Sequence, residues 1–98
     1  MAIRLDLNNP VFQDQWFALE KEDRFAVLNC CVKLASMDWN AVYRDKGLRW
    51  ELIHSRSGQG NERLYSMRIT KKLRAVVRRS SVFLEFLTLH PDHDSAYQ

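Results

Sequence analysis

The chain has little punctuation. Its 98 residues include three glycines, two prolines and two cysteines. Cys30 and Cys31 are adjacent, and neighbouring cysteines rarely form an ordinary bridge. Together they exclude a disulfide scaffold and a zinc finger, and they are expected to be small reduced residues of a cytoplasmic protein. Long apolar runs are also missing: Phe25–Leu28 is as long as they get, far short of a membrane span. Residues 1–9 carry Arg4, Asp6 and two Asn and are expected not to be a signal peptide. Repeats, low-complexity tracts and linkers are absent, so residues 1–98 are expected to form a single domain. Hydrophobic residues at 46% and charged residues at 28% place the chain in the globular class.

What is present is charge of one sign in one place. Residues 1–45 carry a net −2, whereas residues 46–98 carry +5. From 63 to 79 stand Arg63, Arg68, Lys71, Lys72, Arg74, Arg78 and Arg79, with no acid among them. Such a field attracts polyanions. Basic runs more often serve only to keep a surface solvated, so geometry has to separate the two.

The apolar pattern changes period along the chain. Ile3–Leu7 alternates like a half-buried strand. Asn9-Pro10 reads as an N-cap followed by Pro at the first helical position, and Phe12, Trp16 and Leu19 then form one apolar stripe. A second helix is expected over 22–37, with Glu22, Asn29, Lys33 and Ser36 on a narrow polar face. Phe25, Leu28, Val32 and Ala35 line one side with Val27, Cys31 and Leu34 beside them, an apolar surface wide enough to require cover from other elements. No Gly or Pro marks a corner near 19–23, which leaves a hairpin and one bent helix both open. Asp38 can cap a short helical turn stopping at Gly47. After it the period is two: Leu48, Trp50 and Leu52; Tyr65, Met67 and Ile69; Leu73, Ala75 and Val77; then a nearly continuous apolar strand over 82–89. Turns fall at 55–61, at Lys71-Lys72 and at Ser80-Ser81. The expected fold is α+β, with an N-terminal strand and helices packed on one face of a mainly antiparallel, twisted sheet.

Strand parity then places the charge. If Tyr65, Met67, Leu73, Ala75 and Val77 face the helices, Ser66, Arg68, Arg74, Val76 and Arg78 face away. An open sheet face carrying three arginines suits phosphate, since guanidinium groups match phosphate oxygens in pairs. A polar open face is also the ordinary state of an antiparallel sheet; the near absence of acids there tilts the reading towards phosphate. The C-terminal run from His90 to Tyr97 gathers His90, Asp92, His93, Asp94 and Tyr97. It is read as acid–base chemistry first, as metal ligation second because the spacing fits no strong template, and equally as a tail bonded to the sheet. Trp39 and Trp50 are expected in the core, and His54 carries no specific signal. No cofactor is implied.

The run Leu64-Tyr65-Ser66-Met67-Arg68-Ile69, followed by Leu73-Arg74-Ala75-Val76-Val77-Arg78 and His93-Asp94-x-x-Tyr97, resembles the RelE/ParE toxin superfamily of bacterial toxin–antitoxin modules. The resemblance runs over nearly the whole chain. It implies a small microbial ribonuclease-like fold that, in the RelE and YafQ branches, cleaves mRNA on the ribosome and, in the ParE branch, inhibits DNA gyrase without cutting RNA. Arg74 stands at the arginine that contacts the scissile phosphate, Arg68 at a RelE lysine, His93 at the catalytic histidine of the YafQ branch, and Tyr97 at the terminal aromatic of both. Ser66 replaces a second RelE lysine, so the resemblance implies a histidine mechanism. The implied catalytic set is His93, Arg74, Arg68 and Tyr97, with Lys71, Lys72, Arg78 and Arg63 binding RNA and no metal. The expected partners are an antitoxin with an acidic segment and mRNA on the ribosome, or alternatively gyrase, with no membrane. A non-toxic member acting only as a partner-binding domain is the third alternative.

Overall fold

A computed structural model of the chain describes residues 2–53 and 63–91. Its element order is β1 (Arg4–Asp6), α1 (Pro10–Ala18), α2 (Lys21–Ala35), α3 (Trp39–Arg44), β2 (Glu51–Leu52), β3 (Leu64–Arg68), β4 (Arg74–Ser80) and β5 (Phe83–His90). The strands form one sheet in the order β1-β5-β4-β3-β2. β1 runs parallel to β5, and every other pair is antiparallel. The protein is therefore α+β with a mixed, mostly antiparallel sheet.

The helix starts follow from capping. The Asn9 side chain accepts hydrogen bonds from the backbone N–H groups of Val11 and Phe12, with Pro10 opening α1. The corner that the sequence left open is a true break: Leu19 and Glu20 are both extended. In place of Gly or Pro, side chains hold it. Arg24 Nη1 donates to the Leu19 carbonyl at 2.7 Å, and Trp16 Nε1 donates to the Arg24 carbonyl at 3.1 Å. Asp38 caps α3 through the Ala41 N–H.

The main core lies between the helices and one sheet face. Phe12, Val27, Cys30, Cys31 and Leu34 pack on Met67, Ala75, Val77, Leu84 and Phe86, with the Phe12 and Phe86 rings 5.0 Å apart. Strand parity is as expected, with Met67, Leu73, Ala75 and Val77 all on this side. The α2 surface differs from expectation. Val27, Cys30, Cys31 and Leu34 are its buried side, whereas Phe25, Leu28 and Val32 remain 52%, 44% and 65% exposed. Only one stripe of α2 meets the sheet, and the second apolar stripe is left outside.

The strand after Gly47 is also shorter than its alternation suggests. Leu48 is buried, but residues 46–49 form turns and Arg49 has φ 48°. The Asp45 carboxylate accepts the Leu48 N–H, and the Leu48 carbonyl accepts the Arg68 N–H. These bonds tie the turn to the end of β3 and leave two residues for the ladder.

Candidate nucleic-acid interface

The second sheet face is built from β2, β3, β4 and β5 in three rows, set by the register. Arg68, Arg74 and His90 form the first row, Glu51, Ser66, Val76 and Thr88 the second, and Leu64, Arg78 and Glu85 the third. Neighbouring strands lie about 4.8 Å apart, so the first row spans roughly 10 Å.

This face is not the open, solvated arginine surface expected. Ile53 and Val76 are buried on it with Leu64 and Leu87 packed against them, and Ser66 is fully buried. Arg74 is only 6% exposed. Arg78 donates from Nε to Glu85 Oε1 at 3.0 Å, an ion pair within its own row. A small apolar patch therefore divides the face. Arg78 is neutralised on one side of it, and Arg68, Arg74 and His90 gather at the other.

A β-bulge makes the first row. Val77 pairs with Phe86 but Val76 pairs with Thr88, so Leu87 is an extra residue on β5. Strict alternation from Leu84 and Phe86, which face the core, would send Thr88 and His90 to the helix side as well. The extra residue reverses the phase: Leu89 stays in the core, and Thr88 and His90 turn to the arginines. The bulge is braced from the helix layer, where the Gln15 side-chain oxygen accepts the Leu89 N–H at 2.7 Å. Thr88 Oγ1 and His90 Nε2 are 2.8 Å apart, which orients the imidazole of the residue opposite Arg74.

The hairpin joining β3 and β4 presents the two lysines. Thr70 Oγ1 accepts the N–H groups of Lys72 and Leu73 and holds the turn. Lys71 and Lys72 are exposed at its tip and border a cleft of about 460 Å³ with Asp23, Leu73 and Pro91. Arg63 is exposed just before β3. Arg68 borders a second cleft, of about 420 Å³, with Asn29 and Lys33 of α2. There Lys33 Nζ lies 3.0 Å from Asp45, and this contact holds the Asp45 carboxyl below the usual carboxylate range. Cys30 lines the same cleft, but burial, reinforced by Cys31, pushes its thiol up to about 12. It is a packing group, not a nucleophile.

Arg79 lies outside the interface. Its guanidinium sits 4.3 Å from the Trp39 ring centre and donates to the Tyr43 hydroxyl, on the helix side of the sheet. Trp39, Tyr43, Trp50 and Tyr65 pack there as one aromatic cluster, with Trp50 stacked on Tyr65 at 4.6 Å. The two tryptophans pack against the main core, as expected.

Of the residues expected to form the site, Arg68 and Arg74 are brought together as cross-strand neighbours with Lys71 and Lys72 at the adjoining turn, and Arg78 is drawn aside by Glu85. His93 and Tyr97 lie outside the described residues. The sequence marks His90 only as one of the C-terminal acid–base run; its place in the arginine row depends on the bulge, which the order of residues does not show. Among the described residues, no group of three or more His, Cys, Asp or Glu could hold a metal ion, and no helix is long and apolar enough to cross a membrane. No family model, curated protein or solved structure matches the chain.

Proposed function

We propose that the protein is the toxin of a toxin–antitoxin module, a RelE/YafQ-like endoribonuclease that cuts mRNA on the ribosome. The observation that carries the reading is the pairing of Arg68 with Arg74 across β3 and β4, at the end of the sheet that also bears Lys71 and Lys72. Two guanidinium groups one strand apart suit a phosphodiester and the charge that builds on its oxygens during transfer. Arg74, nearly buried, supplies a fixed charge; the more exposed Arg68 and the turn lysines meet the RNA backbone. His93 is the histidine that the resemblance puts forward for proton transfer, and Tyr97 its aromatic neighbour.

The exposed Phe25, Leu28 and Val32 on α2 favour a protein partner as well, consistent with an antitoxin whose apolar side covers them and whose acidic segment meets the basic half of the chain. The same surface also suits the second reading, a ParE-like inhibitor that grips gyrase and cuts nothing. Induced expression separates them. A ribonuclease toxin stops translation and leaves cut mRNA; a gyrase inhibitor leaves mRNA whole and provokes filamentation with a DNA-damage response.

A further inference from the structure

Cleavage of RNA by its own 2′-hydroxyl moves two protons. As the O2′–P bond forms, the 2′ oxygen gives up its proton; as the P–O5′ bond breaks, the 5′ oxygen takes one. The products are a 2′,3′-cyclic phosphate and a 5′-hydroxyl, with no oxidant, reductant or metal needed. One histidine performs one of these transfers, so a second group is required. We propose that His90 is that second group, carrying one of the two protons at a phosphate held in the Arg68–Arg74 row. The inference rests on the ribonuclease reading above and deepens it.

Three features carry it. The register sets His90 directly opposite Arg74, which is itself opposite Arg68, so the three residues occupy one row of the sheet. The bulge at Leu87 exists at the one place that turns Thr88 and His90 out of the helix-side phase, and bulges beside reactive sites commonly re-aim a side chain in this way. One partner of the ring is a hydroxyl. Thr88 Oγ1, 2.8 Å from Nε2, can donate to the neutral ring or accept from the protonated one, so it orients the imidazole in both states that a proton carrier must visit.

The test uses purified ribosomes programmed with a defined mRNA and the whole chain, comparing wild type, His90→Gln, His90→Ala and His93→Ala. Circular dichroism and ribosome binding are measured on each. Glutamine keeps an amide that can bond Thr88 but cannot carry a proton, so it decides the matter even if the alanine variant folds poorly. The expected result is a loss of about a hundredfold or more for His90→Gln with fold and ribosome binding unchanged, and partial recovery of His90→Ala on adding free imidazole. Wild-type cleavage with His90→Gln within about threefold of it would overturn the role of His90 and leave the ribonuclease reading standing. A folded His90→Ala variant that imidazole does not restore would make His90 a structural residue, which also overturns the proposal. If the wild-type chain leaves mRNA intact on the ribosome, the ribonuclease reading falls, and this inference falls with it.

Discussion

At the scale of single residues, burial decides which reactive groups can react. Cys30 and Cys31 are free and buried, and their thiols are pushed up to about 12 and about 11, in both cases chiefly by desolvation. Alkylation by iodoacetamide at neutral pH should therefore be slow in the folded protein and fast once urea unfolds it; rapid labelling of the native chain would contradict this burial. The linkage has a definite sign. An acid whose folded pKa is raised contributes fully to stability below its unfolded value, near 9.0, and the contribution is lost as pH climbs towards the folded value. Urea midpoints should thus fall between about pH 9 and 12, and fall less in a Cys30→Ala variant. Arg74 and Lys72 make the complementary contrast. Both are cations in one basic segment, but Arg74 is 6% exposed in the first row and Lys72 stands at the tip of a turn. Arg74→Ala should lower mRNA cleavage by about 10²–10³, as loss of a fixed charge-stabilising group does. Lys72→Ala should reduce it by much less, through weaker RNA binding. Equal losses, with melting curves showing both variants folded, would mean that the row does not hold the reacting phosphate.

At the scale of elements, the last strand is the one whose geometry matters most. β5 is apolar on both sides over most of its length, so its sequence is compatible with either phase. The phase is chosen by the bulge, and the bulge is held by Gln15 on α1 reaching the Leu89 N–H. Gln15→Leu keeps the volume and removes the acceptor. The cost expected for a backbone donor left unsatisfied is about 1–3 kcal/mol, measured by urea unfolding. Cleavage should fall further than the stability loss explains, since Thr88 and His90 lie on either side of Leu89. If cleavage is untouched while stability drops, the phase of β5 is set by something other than this brace. The α1–α2 corner is a similar case of side chains acting where the chain offers no punctuation: Arg24 and Trp16 bond across Leu19 and Glu20 and do what a glycine or proline would do elsewhere.

At the scale of the molecule, charge is divided by sequence and apolar surface is divided by packing. The basic half builds β2 to β5, and the acidic half builds β1 and the helices, of which α2 leaves its outer stripe, Phe25, Leu28 and Val32, exposed. An antitoxin with an acidic segment should associate quickly at low salt and more slowly as salt rises, since exposed charges are screened beyond ~8 Å at physiological ionic strength. Its dissociation should respond little to salt but speed up in a Leu28→Ser, Val32→Ser variant, which should still fold because neither side chain belongs to the buried core. An association rate flat across the salt series would show that the basic surface does not steer docking. The α+β class, the helix caps at Asn9 and Asp38, the parity of Tyr65 to Val77 and the side-by-side placing of Arg68 and Arg74 were all legible in the sequence, because each follows from local periodicity or capping chemistry within a few residues. The exposure of one α2 stripe, the diversion of Arg78 to Glu85, the burial of Arg74 and the turning of His90 to the arginine face were decided only by tertiary structure. Each depends on which strand lies alongside which, and on a single extra residue in one of them, and neither leaves a periodic trace in the order of amino acids.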